Sequence, residues 1–216
     1  GFGQLISDCY NGGARIVNKE KPYLIDLSPD SVKEASLTSV FIMNDDKDNP
    51  SGSYQTILGK EGSYDLRDEV KNTSQKEYFK KVQAGYPTDI TIENPGIDSL
   101  TSYDFPVTIH YDLDLKNLRT GDMIYFNPML ADMYRNNPFK SVERHYPVEM
   151  PYKIEDTYVL NMDIPKGYQV DELPKSARVA YNGNEGIFEY LIQKGTDKIE
   201  MRGHLKLNKS FFPTEE

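Results

Sequence analysis

The chain has 216 residues, 38% of them hydrophobic and 27% charged, with a formal net charge of −9. That composition is globular and long enough for one large or two small domains. The acidic balance argues against nucleic-acid phosphate or an anionic membrane as a partner, and no run of about 18 apolar residues is present to span a bilayer.

Sixteen Tyr and nine Phe with no Trp point to β-rich structure with aromatic, half-buried faces. A single cysteine excludes an internal disulfide and a cysteine-built metal cage. The opening Gly1-Phe2-Gly3-Gln4 has no signal-peptide features, and the expectation is a piece of a longer protein.

In chain order, alternating or short apolar runs predict strands at 14–17, 23–27, 37–43 and 54–58. One helix is specified over about 74–84: Ser74 and Glu77 have capping-box spacing, and Tyr78, Phe79 and Val82 form its apolar stripe. Gly85 suits a left-handed C-terminal cap, and Pro87 prevents continuation. Strands follow at 88–92 and 107–113, a further helical turn fits 130–136, and another strand covers 158–164.

The C-terminal part predicts a three-stranded meander at 177–181, 187–193 and 199–207. Asn182-Gly183 supplies the positive φ that a tight hairpin turn needs. In the last strand Ile199, Met201, Leu205 and Leu207 share one face, and Glu200, Arg202, His204 and Lys206 the other. Many short strands and one short helix predict an all-β fold, a jelly-roll-like two-sheet β-sandwich. Residues 1–30 read as leading strands and 31–216 as the sandwich; the alternative is two smaller sandwiches meeting near residue 113.

Candidate chemistry is sparse. Cys9 lies in Ser7-Asp8-Cys9-Tyr10-Asn11-Gly12-Gly13, which favours a turn rather than the helix start that activates a thiol. It reads as an inert, buried structural cysteine; a weaker reading pairs it with His110 or His145 as a hydrolase. His110 and His204 fall on polar strand faces and read as surface residues.

In the acidic stretch 45–52, Asp46 and Asp48 have the spacing of a calcium loop. Pro50 then replaces a ligand, and Ile57 stands where the bidentate glutamate belongs. A solvated hairpin loop is expected there. With no Walker loop and no Gly-x-Gly-x-x-Gly, no cofactor or metal and no catalytic residue is assigned.

The segment Asn136-Asn137-Pro138-Phe139-Lys140-Ser141-Val142-Glu143-Arg144-His145-Tyr146-Pro147-Val148 is the most distinctive. Its prolines fix φ and pre-order the chain, with Phe139 and Tyr146 expected to anchor it by burial. Arg144 reads as a structural guanidinium first and a docking contact second, and His145, Tyr146 and Phe139 join it as candidate docking residues.

This segment resembles the C-terminal region of bacterial transglutaminase-like proteins, of the papain-like cysteine protease superfamily. Cys9-Tyr10-Asn11-Gly12, Leu24-Ile25-Asp26-Leu27, Glu77-Tyr78, Ile92-Glu93-Asn94, Ile164-Pro165-Lys166-Gly167-Tyr168 and Glu172-Leu173-Pro174 agree with it in order. The resemblance implies a β-rich domain of unknown function placed after a catalytic core. The core's Cys, His and Asp would lie before residue 1, and Cys9 would match a position beyond the core.

It therefore implies a non-catalytic accessory domain whose partner is the upstream core, in a periplasmic or cell-surface protein. The rival expectation is a carbohydrate-binding sandwich module that uses the abundant tyrosines for stacking. Protein or glycan are thus the partner classes expected, and nucleic acid is not.

Overall fold

In the computed structural model, residues 5–44, 50–86, 89–130, 140 and 144–214 are described. The elements run β1 (Gly12–Ile16), β2 (Tyr23–Leu27), β3 (Lys33–Met43), β4 (Ser51–Ile57), α1 (Lys60–Asn72), α2 (Gln75–Gly85), β5 (Ile90–Asp98) and β6 (Thr108–Leu115). They continue with β7 (Arg119–Thr120), β8 (Met123–Ile124), β9 (Val148–Glu149), β10 (Lys153–Asp163), β11 (Ala177–Tyr181), β12 (Gly186–Lys194), β13 (Lys198–Leu207) and β14 (Phe211–Phe212). Strand, at 46%, dominates, so the all-β, sandwich-like class read from the sequence holds.

One mixed sheet of eight strands carries the fold, in the order β11-β12-β13-β10-β3-β4-β6-β5. Its neighbours are antiparallel except for β3 and β10, which run parallel from Lys33 beside Lys153 to Ile42 beside Met162. Three two-stranded sheets, β1-β2, β14-β9 and β7-β8, accompany it. Strands from both sides of residue 113 thus share one sheet.

Alternation along the strands decides which face packs. In β3, Glu34, Thr38, Val40 and Ile42 are buried while Leu37, Phe41 and Met43 are exposed. In β6, Ile109, Tyr111, Leu113 and Leu115 are buried on the same side. Leu66 of α1 and Phe79 of α2 complete this core. Tyr54 stacks on Tyr111 at 4.5 Å between centroids, and Phe79 meets Tyr111 edge-on at 6.1 Å.

Two helices are present where the sequence predicted one. In α2, Ser74 caps as expected, its Oγ accepting from the Glu77 N–H at 3.2 Å. Gly85, however, is not left-handed: the helix ends because Tyr86 turns extended, at φ −71° and ψ 132°, as the residue before a proline tends to do.

Helix α1 has Gly59 at its N-cap and no cap from its own sequence. The cap comes instead from β3, where the buried Glu34 carboxylate accepts from the Glu61 and Gly62 N–H groups, each at 2.9 Å. Burial pushes the Glu34 carboxyl above the usual carboxylate range, against the opposing pull of those two hydrogen bonds. A Cβ on Gly59 would lie 2.5 Å from this carboxylate, so the helix start must be glycine for the two to meet.

The meander forms as β11 to β13, with Asn182 at φ 40° and Gly183 at φ 64° in its first turn. The acidic loop at 45–49, Pro87, Phe139 and the helical turn beyond Leu130 lie outside the described residues.

Candidate functional site

The cleft that stands out opens between the leading segment and the C-terminal edge of the body, with a volume of about 540 Å³. Its lining draws on the turn before β1 and on β1 and β2: Asp8, Tyr10, Asn11, Gly12 and Asp26. The turn after β2, with Ser28, Pro29 and Asp30, and the later residues Glu149, Met150, Ser210 and Phe211 complete the lining.

Local hydrogen bonds fix these pieces. Asp30 Oδ1 accepts from Ser210 N–H at 2.7 Å and Ser210 Oγ–H at 2.8 Å. The Met150 N–H donates to the Ser210 carbonyl at 2.7 Å, and the Asn11 side-chain amide donates to the Asp8 carbonyl at 3.1 Å. Four carboxylates and no lysine, arginine or histidine line the cleft. Such a wall accepts hydrogen bonds and repels phosphate, so it suits a ligand rich in N–H or O–H donors. Among the described residues, no group of three or more His, Cys, Asp or Glu is placed to hold a metal ion.

The distinctive segment leads into this cleft. Half-buried Arg144 donates to the Pro213 carbonyl, and Val148–Glu149 pairs with Phe211–Phe212 just beyond. The expected burial of Tyr146 is corrected: its ring is 80% exposed. The local pairing of β9 with β14, together with Arg144, secures this strand through its backbone, so the aromatic side chain is not needed as an anchor. His145 is exposed too, and neither residue lines the cleft.

Cys9 is also corrected, from buried to exposed. It sits in the short 3-10 turn Ser7–Cys9, which buries none of its residues. His110 lies on the open sheet face against Gly96, within 3.5 Å of Asp98. His204 is half-buried, 3.2 Å from Glu155. Glu155 in turn pairs with Lys33, and these contacts hold its carboxyl below the usual carboxylate range.

A second surface has a different chemistry. Arg67 of α1 donates to the carbonyls of Ser99, Leu100, Ser102 and Phe105, at 2.9 to 3.1 Å, and so fixes the loop between β5 and β6. Its guanidinium covers the Tyr103 ring at 5.1 Å, leaving that ring 68% exposed.

Neither surface was assigned from the sequence. The cleft draws its four carboxylates from three separate stretches, and no spacing motif links them. The one legible signal at the second surface was the abundance of tyrosine.

Residues 122–216 match the model of a domain family of unknown function with a solved structure, DUF3858. The matched stretch contains β8 to β14 and thus four strands of the large sheet, β10 to β13. No curated protein and no solved structure matches the chain.

Proposed function

We propose that the chain is a non-catalytic accessory module, which docks onto a transglutaminase-like catalytic core in a protein of the periplasm or cell surface. The observation that carries this reading is the β1-β2 hairpin. No residue of either strand is buried, and the two form a sheet of their own. An isolated two-stranded hairpin is marginal in water.

Its surroundings are apolar on the outside, with Leu24 70% and Val17 92% exposed and Leu5, Ile6 and Tyr23 also exposed. Exposed apolar side chains of this size fit a surface that a neighbouring domain covers. The acidic cleft lies along the base of the hairpin, where Gly12 and Asp26 join its lining. Cys9, exposed in its turn and outside the cleft lining, is not assigned a catalytic role in this reading.

The direct test is to assay the chain with peptide and amine substrates. No turnover is expected, and turnover abolished by Cys9→Ser would sink the proposal. Adding the catalytic core in trans should produce a complex, which Leu24→Asp weakens.

A second reading, a carbohydrate-binding module, draws support from Tyr103, an exposed ring held in place by Arg67 from behind. Aromatic faces of this kind stack on sugar rings. A glycan array decides it: binding lost in Tyr103→Ala would favour this reading, and an array without binders would remove it.

A further inference from the structure

The two outer strands of the large sheet are finished differently. On one side β5 contains Pro95, and its register with β6 shifts between Glu93 and Gly96, with Asn94 at φ 47°. Proline, a bulge and nearby acidic side chains are the means by which sheet edges avoid pairing with other chains. On the other side β11 has neither proline nor bulge, and its one charged residue, Arg178, is paired with Glu189 of β12. Its sequence is Ala177-Arg178-Val179-Ala180-Tyr181, its register with β12 is unbroken from Ala177 beside Tyr190 to Tyr181 beside Gly186, and all five residues are exposed. Among the described residues no further strand pairs with it.

The edge also adjoins apolar surface. Val179 lies opposite Phe188 of β12 on the same sheet face, where they are 62% and 45% exposed, and Tyr181 is exposed beside them. Unpaired backbone groups next to an apolar face specify an extended strand as the occupant.

We infer that the occupant is a second copy of this chain, with β11 pairing antiparallel to the partner's β11 about a two-fold axis at Val179. The strand is self-complementary in that register. Val179 meets the partner's Val179, Ala177 meets the partner's Tyr181, and Arg178 meets the partner's Ala180. Small faces large, and no like charges are opposed. A parallel in-register pairing would instead set Arg178 against the partner's Arg178. Arg178 is already engaged at home, 3.6 Å from Glu189 and 3.3 Å from the Asn184 side-chain carbonyl. The pairing joins the two Val179–Phe188–Tyr181 patches across the axis, in an isologous contact that closes at two copies.

The test combines a charge and a cross-link. The unaltered chain should show a concentration-dependent dimer in sedimentation equilibrium. Val179→Lys opposes two ammonium groups at the axis and should weaken the dimer at least about tenfold, with the circular dichroism spectrum and melting curve retained because the site is exposed.

In a Cys9→Ser background, Val179→Cys should form a disulfide dimer on mild oxidation, since directly opposed antiparallel residues have Cα separations of about 4.5–5.5 Å. Thr196→Cys, in the turn between β12 and β13, is the control and should cross-link far more slowly. A chain monomeric at every accessible concentration overturns the inference. So does a dimer indifferent to Val179→Lys, or cross-linking at Val179→Cys no faster than in the control.

Discussion

At the scale of single residues, Glu34 joins two parts of the fold. Its carboxylate is a strand residue by sequence and a helix cap by contact, accepting from Glu61 and Gly62. Glu34→Ala leaves both N–H groups at the start of α1 without this partner and should lower stability by about 2 kcal/mol, as measured by urea unfolding at neutral pH. The pH dependence has a definite sign. Because burial raises the folded-state pKa of Glu34, its contribution to stability is fully present below the ordinary glutamate pKa and declines as pH rises through the raised value. The alanine variant should lack this decline, so the loss it causes should be larger in acid than at neutral pH. A loss that is equal at both pH values would show that the carboxyl titrates normally.

Elements show what was legible in the sequence and what was not. The meander and α2 were readable because their determinants are local: Asn182-Gly183 for the turn, Ser74 for the cap, alternation in β13. Helix α1 was missed because its cap is contributed by Glu34, 25 or more positions earlier in the chain, and because its sequence is mostly polar with Gly62 inside the first turn. The cleft was hidden for a related reason, since Asp8, Asp26, Asp30 and Glu149 converge only after the sheet has formed.

Alternation predicts strands at 14–17 and 23–27, and the second coincides with β2 while the first overlaps β1 at Gly12–Ile16, yet alternation says nothing about their pairing into a hairpin or its lack of cover. With no buried residue to hold it, its amides in 12–27 should exchange with solvent far faster than those of β10. Hydrogen-exchange mass spectrometry checks this, and on addition of a docked core protection should rise in the hairpin before anywhere else. Hairpin protection equal to that of β10 in the free chain would remove the argument for a missing cover.

For the molecule as a whole, the abundance of tyrosine has two explanations that composition could not separate. Tyr54, Tyr78, Tyr86, Tyr111 and Tyr158 belong to the core or pack against it. Tyr86 and Tyr111 share a hydroxyl–hydroxyl hydrogen bond, and the Tyr158 hydroxyl donates to the Pro128 carbonyl at 2.8 Å. Others, such as Tyr103 and Tyr146, face solvent.

Burial raises the phenols of the first group, Tyr78 to about 12 and Tyr54, Tyr86, Tyr111 and Tyr158 upward as well. Raised folded values mean that their contribution to stability is complete below the ordinary tyrosine pKa and fades as pH climbs above it. Alkaline titration should therefore show a step in tyrosinate absorbance that coincides with loss of the circular dichroism signal. Ionisation of all sixteen tyrosines while the fold persists would contradict the buried cluster.

The parallel seam between β3 and β10 also bears on how the chain can be divided. Ten successive residue pairs, from Lys33–Lys153 to Ile42–Met162, join the first half of the sheet to the second. The family match at 122–216 includes β10 but not β3. A fragment cut at that boundary would keep the four strands from β10 to β11 and lose the partner along the free side of β10. It would carry a raw edge eleven residues long, with Leu160 and Met162, both buried in the whole chain, brought toward water. Such a piece should aggregate where the whole chain stays dispersed. Homology and autonomy should thus have different borders here: the matched stretch divides the large sheet between β3 and β10, and a fragment that begins at Lys33 is expected to stay dispersed where one that begins at Asp122 aggregates.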